Sequence, residues 1–162
     1  MSSSRVLLQD DQEVAVNRPR VLLGDDHVMF MDGLRSILRT HCEIVGTAED
    51  GEKVVAAAQQ LHPEVIILDI SMPVLNGIRA ARRLQTLGTS SKIVFCTMQS
   101  DPVFVTEAFN AGAKAYVLKN AAASEIIVAL NEVIQGHTYI CRGMRGIVAD
   151  PPKQGATSPV NR

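Results

Sequence analysis

The stretch Val65-Ile66-Ile67-Leu68-Asp69-Ile70-Ser71-Met72-Pro73 decides the fold. Four branched apolar residues in a row cannot alternate between a dry and a wet face, so the strand they form is covered on both sides. Central strands of parallel sheets are buried in this way, with helices above and below. Outward from this run, short apolar segments at 20–24, 44–48, 92–97 and 115–118 alternate with helically spaced segments at 29–39, 52–61, 78–85, 103–111 and 122–135. Strands alternating with helices of this length are βαβ units. The expectation is an α/β fold: a doubly wound parallel sheet of five strands with five helices. In such sheets the functional groups gather outside the carboxyl ends of the strands, where the winding reverses.

Helix boundaries carry matching local chemistry. Asp50 is placed to cap the second helix and Asp101 the fourth, with Pro102 at its first position. Gly88, Gly112 and Gly136 each follow a helical segment, where a left-handed residue closes the last turn. The last helix has two apolar stripes, one of Ala123, Ile127, Leu130 and Ile134 and one of Ile126, Ala129 and Val133. One packs on the sheet; the other is expected first to belong to a wide buried arc of the same helix, with a partner surface as the alternative. Residues 1–18 lack a sustained period and read as a flexible extension. Residues 19–137 form the domain, and 138–162, which include Pro151, Pro152, Gly155 and Pro159, read as a flexible tail or linker.

Composition excludes several functions. Sixteen Lys and Arg against seventeen Asp and Glu give a net charge of −1, so direct DNA binding through a general basic surface is not expected. Cys42, Cys96 and Cys141 are widely spaced and form no C-x-x-C pair, which points to reduced thiols and not to zinc or a disulfide framework. Cys96 precedes Thr97 on a strand and so faces the opposite way, into the core. No apolar run reaches the ~20 residues of a membrane helix, and the N-terminus lacks a signal-peptide core, so a cytoplasmic location is expected.

The strand ends are the informative part. The first strand runs into Asp25-Asp26, the third into Asp69, the fourth ends in Thr97 and the fifth runs into Lys119. Each alone is an ordinary turn, cap or surface residue. Together they put three carboxylates on one sheet edge, where mutual repulsion calls for a cation. Oxygen donors favour Mg²⁺ or Mn²⁺. A carboxylate can also be a nucleophile that forms an aspartyl phosphate. Lys119 would then pair with one phosphoryl oxygen and the Thr97 hydroxyl would donate to another.

At Asp25-Asp26, Leu68 to Pro73 with Asn76-Gly77, Thr97 and Tyr116-Val117-Leu118-Lys119, the sequence resembles the receiver domain of two-component response regulators, the CheY-like fold. The resemblance covers about residues 20–136 and implies the flavodoxin-like strand order 2-1-3-4-5. It implies that Asp69 is the phosphoacceptor and that Asp25, Asp26, Asp69 and the Ser71 backbone carbonyl hold Mg²⁺. Thr97 and Lys119 would serve the transfer, and Thr97 and Tyr116 would be the switch pair, the ring following the hydroxyl inward. Ser71 and Gln99, each two residues past a site residue, are candidates for setting the phosphoryl lifetime. The implied partner is a sensor histidine kinase, with a homodimer through the first and fifth or the fourth and fifth helices, and no enzymatic activity beyond slow self-phosphorylation and self-dephosphorylation. The stretches Asp25-Asp26-His27, 111–116 and Ile134-Gln135-Gly136 resemble the subfamily whose receivers precede a LuxR-type helix-turn-helix output domain. Such a domain, and with it a direct role in transcription regulation, is expected to be missing from this chain or separate from it. Asn120 stands where many receivers have Pro.

Three other functions compete. A flavin or nucleotide binder could use the same architecture, but the turn after the first strand carries Asp25-Asp26 in place of a Gly-rich phosphate loop. A stand-alone adaptor would bind a kinase without being phosphorylated. A metal-dependent phosphohydrolase would also use a strand-end Asp, but it usually has a second acid two residues on, and position 71 is Ser. His27, His41, His62 and His137 have no ligand spacing and read as structural.

Overall fold

A computed structural model describes residues 18–147 in full and the backbone of 4–7 and 13–16. Residues 148–162 of the expected tail lie outside those described, as do 1–3, 8–12 and 17 of the expected N-terminal extension. Within that extension, β1 (Ser4–Leu7) and β2 (Glu13–Val16) pair antiparallel. Ser4-Arg5-Val6-Leu7 and Glu13-Val14-Ala15-Val16 mix polar and apolar residues over four positions, and unlike the unbroken apolar run at 65–68 they carry no signal that separates a strand from an extension.

The main sheet contains β3 (Arg20–Gly24), β4 (Glu43–Ala48), β5 (Val65–Leu68), β6 (Lys92–Thr97), β7 (Ala115–Leu118) and β8 (Tyr139–Ile140). Their order is β4-β3-β5-β6-β7-β8, and every neighbouring pair is parallel. The expected order 2-1-3-4-5 is present, with a sixth strand added at the edge. That strand corrects the count of five, and the fold continues past residue 137, where the tail was expected to begin. Two residues carry no periodicity, but Cys141 N–H donates to the Tyr116 carbonyl (2.9 Å) and fixes the strand beside β7.

The helices are α1 (Val28–Leu38), α2 (Gly51–Leu61), α3 (Gly77–Thr86), α4 (Pro102–Asn110) and α5 (Ala122–Ile134). Among these, α1 packs with α5 and α2 with α3. Asp50 and Asp101 cap as expected, accepting from the Lys53 and Val103 amides. Gly88, Gly112 and Gly136 all adopt positive φ. All four residues of β5 are buried, as a strand covered on both faces must be. On α5 the stripe Ile126, Ala129 and Val133 is buried together with Leu130, while Val128 and Ile134 face outward. Cys96 is buried, as its alternation with Thr97 requires. Among the described residues no helix is long and apolar enough to cross a membrane.

Candidate functional site

The chain leaves β3 for one edge of the sheet, then returns past β3 to form β5, so the winding reverses between these two strands. Gly24 and Leu68 are paired at their carboxyl ends, and the Asp69 amide donates to the Gly24 carbonyl (2.8 Å). Asp25 and Asp69 are thereby set side by side at the switch point. Both are nearly sealed from solvent, at 5% and 3% exposure, whereas Asp26 is exposed.

Lys119 lies between the two buried carboxylates. Its Nζ is 2.8 Å from Asp25 Oδ2 and 3.0 Å from Asp69 Oδ2, and it also sits 4.5 Å from the centre of the Phe30 ring. Burial acts to lower the Lys119 pKa, yet its hydrogen bonds to the two carboxylates outweigh this and hold it above the ordinary lysine value. The ammonium is therefore a fixed positive charge.

Thr97, the last residue of β6, and Tyr116, the second residue of β7, are fully buried, and Gln99 connects them. The Gln99 amide N–H donates to Thr97 Oγ1 (3.3 Å), and the Tyr116 hydroxyl donates to the Gln99 carbonyl (2.6 Å). The Gln99 side chain donates to Ser71 Oγ (2.9 Å), while the Ser71 amide approaches Asp69 Oδ1 at 3.4 Å. Burial, reinforced by Cys141, Asp69 and Asp101, pushes the Tyr116 hydroxyl above its usual range, so it stays protonated and remains a donor. The structure thus brings together Asp25, Asp69, Lys119, Thr97, Tyr116, Ser71 and Gln99, seven residues singled out from the sequence.

One residue of the site was missed. His27 was set aside with the other histidines, yet its Nδ1 is 3.1 Å from Asp25 Oδ1, 3.3 Å from Asp26 Oδ1 and 3.9 Å from Asp69 Oδ2. Its place directly after Asp25-Asp26 at a strand end was the available signal. The remaining three do not join the site: His41 bonds Thr40, His137 bonds Glu132, and His62 ends α2 in a left-handed conformation. A cavity of about 540 Å³ lined by His27, Met29, Phe30, Met98 and Leu118 opens beside Lys119. Met29 and Met98 are largely exposed around it.

The donor set fits a divalent cation. Ligand atoms of Asp25, Asp26, His27 and Asp69 all lie within 4.8 Å of one another. Three carboxylates face a single ammonium, so the pocket retains negative charge that a dication would neutralise.

Residues 21–131 match the model of the response regulator receiver domain. The chain is 34% identical over 132 residues to the transcriptional regulatory protein DegU of Brevibacillus brevis, an alignment covering 80% of this chain and 56% of that protein. It therefore spans little more than half the length of that relative. Among solved structures, the signal receiver domain of a response regulator NarL from Mycobacterium tuberculosis superposes with a TM-score of 0.72 at 27% identity, over 75% of this chain and all of that one. The non-phosphorylated receiver domain of the stress response regulator RcsB from Escherichia coli gives 0.71 at 25% identity, over 77% and 99%. The strand order, the acidic switch point and these matches agree: the chain belongs to the response regulator receiver family.

Proposed function

We propose that Asp69 accepts a phosphoryl group from a sensor histidine kinase and that the acyl phosphate switches a protein surface. The observation that carries this reading is the pairing of buried Asp69 with Lys119 at the reversal of the sheet. A carboxylate there is held in one orientation, with a fixed ammonium ready to pair with an incoming phosphoryl oxygen. Mg²⁺, when bound, supplies charge neutralisation to the phosphoryl oxygens. Asp25, Asp26, Asp69 and the Ser71 backbone carbonyl are the groups that would hold it, and Mn²⁺ suits the same carboxylates.

The remaining residues divide the work. The Thr97 hydroxyl, which accepts from the Gln99 amide and keeps its own proton free, would donate to a phosphoryl oxygen, and a turn of the side chain toward that oxygen would shift its contact with the Gln99 amide. Because Gln99 also receives the Tyr116 hydroxyl, a shift at Thr97 reaches the ring. Occupation of Asp69 is thereby linked to the surface of α4, β7 and α5. Ser71 and Gln99, joined side chain to side chain, stand where water would approach the acyl phosphate and so set its lifetime. Homodimerisation through α1 and α5 or through α4 and α5 is the surface event, with the outward residues Val128 and Ile134 on α5 as contributors. The chain is a phosphoacceptor switch and not a turnover enzyme, located in the cytoplasm. Its link to transcription runs through an output domain separate from this receiver.

Incubation with acetyl phosphate and Mg²⁺, read by intact-protein mass, tests the proposal. A gain of one phosphoryl group that vanishes in Asp69→Asn and without divalent metal is expected. An equal gain in Asp69→Asn refutes the assignment.

A further inference from the structure

Helix α3 contains three arginines and no acid. Its apolar residues Ile78, Ala80, Ala81 and Leu84 are buried, while Arg79, Arg82 and Arg83 are all exposed. Residues three and four apart are neighbours on a helix, so Arg79 lies beside both Arg82 and Arg83, and no carboxylate within α3 offsets their repulsion. Relief comes from outside at one position. Arg83 receives Glu52 of α2, its Nη1 standing 2.7 Å from both carboxylate oxygens. Among the described residues the guanidinium groups of Arg79 and Arg82 enter no ion pair. The positive strip is also one helix wide. On α2, which packs against α3, Lys53 is matched by Glu49 at 2.8 Å, and α4 exposes Glu107 but has no Lys or Arg.

We propose that the exposed face of α3 is a docking surface for an acidic helix of a partner protein, received through Arg79 and Arg82 as Glu52 of α2 is received through Arg83. The planar guanidinium fork suits carboxylates, and positions 79 and 83 are about 6 Å apart along the axis, which matches acids one turn apart on a partner helix. Other anionic partners fit less well. Nucleic acid calls for a broad basic face, whereas this strip is narrow and the whole chain carries a net charge of −1. A lipid surface calls for apolar side chains beside the charges, and those of α3 are turned into the core. The surface also has a route to the acceptor: α3 starts at Gly77, whose amide donates to the Ile70 carbonyl (2.8 Å) next to Asp69. A docked helix therefore bears on the element that abuts the Asp69 peptide. Docking itself does not depend on phosphorylation of Asp69.

The test adds the full chain to a labelled, end-capped, Ala-based peptide with glutamates four apart, about fifteen residues long so that it is helical in water, and reads anisotropy at low salt. Oligothymidylate of equal charge is the competing probe. The variants are the double substitution Arg79→Gln with Arg82→Gln and, as a control on an exposed arginine of another face, Arg39→Gln. Circular dichroism confirms that each remains folded. The expected result is that the double substitution weakens the peptide by about tenfold or more and Arg39→Gln by less than about twofold. A urea midpoint gives a second readout: Arg79→Glu converts the repulsion into pairs with Arg82 and Arg83, so the midpoint should rise. No binding of the peptide to wild type, an equal loss from Arg39→Gln, or tighter binding of oligothymidylate than of peptide overturns the proposal. A midpoint that falls in Arg79→Glu overturns it as well, since Arg79 would then be serving the fold and not a partner.

Discussion

Gly77→Ala is the substitution whose effect the structure fixes most tightly. Gly77 is the first residue of α3, where Ala would ordinarily be favoured by up to ~1 kcal/mol. A Cβ built there lies 1.9 Å from the Asp69 carbonyl oxygen, 2.8 Å from its carbon and 3.1 Å from Ile70 Cα. These are backbone atoms and have no rotamer to escape into. Restoring a contact of at least 3.0 Å requires α3 or the Asp69 peptide to move by about 1 Å. The Asp69 peptide is pinned by its bond to Gly24, and Gly77 by its own amide bond to the Ile70 carbonyl (2.8 Å). Overpacking against a rigid wall costs ~1–3 kcal/mol and occasionally more, so a net loss of about 3 kcal/mol is expected. Urea unfolding followed by circular dichroism measures it, with Gly33→Ala as control. Gly33 sits inside α1 with nothing within 4 Å of its missing Cβ, so Ala there should stabilise by ~0.5–1 kcal/mol. A Gly77→Ala loss below about 1 kcal/mol would refute the close approach of α3 to the Asp69 peptide.

Four further outcomes are expected. Lys119→Met leaves Asp25 and Asp69 buried without their ammonium and should cost about 3 kcal/mol in metal-free buffer, a deficit that millimolar Mg²⁺ reduces more than it stabilises wild type. Because the folded Lys119 pKa is raised, its stabilisation is fully present below the unfolded value of ~10.4 and fades as pH rises through the folded one; the gap between wild type and Lys119→Met should be constant near neutrality and close only in strong alkali, as urea midpoints against pH will show. Cys96 is pushed up to about 12 and Cys42 to about 11, chiefly by burial, so a disulfide-exchange reagent at pH 8 should label neither in the native protein and all three cysteines in urea. Glu125 is buried on α5 and accepts from the Tyr139 hydroxyl (2.5 Å) and the Arg142 amide (2.9 Å), so Glu125→Ala should cost ~1–3 kcal/mol and speed hydrogen exchange at the Cys141 amide that ties β8 to β7.

Much of this architecture is written in local pattern. The unbroken run 65–68 could only be a doubly covered strand, and the Asp and Pro at 101–102 and the glycines at 88, 112 and 136 marked helix ends through their own backbone chemistry. The switch-point residues were legible because βαβ winding sends every strand's carboxyl end to one edge. What escaped were features set by tertiary contact. The strand Tyr139–Ile140 exists because β7 offers it an edge and Glu125 anchors Tyr139, and neither leaves a trace in two residues of sequence. His27 escaped because the histidines were compared with one another for ligand spacing, while the signal lay in its place directly after Asp25-Asp26 at a strand end. The role of Gln99 was guessed from its offset, but its links to Thr97, Tyr116 and Ser71 depend on how the loop after β6 folds back.

The most direct measurement locates the acceptor atom by atom. After treatment with a phosphodonor and Mg²⁺, borohydride reduction converts an acyl-phosphorylated aspartate to the alcohol, and peptide mass spectrometry reports which residue changed. The proposal predicts homoserine at position 69 alone, and none when divalent metal is withheld. Reduction at Asp25 or Asp26 with Asp69 untouched, or labelling indifferent to metal, would contradict it.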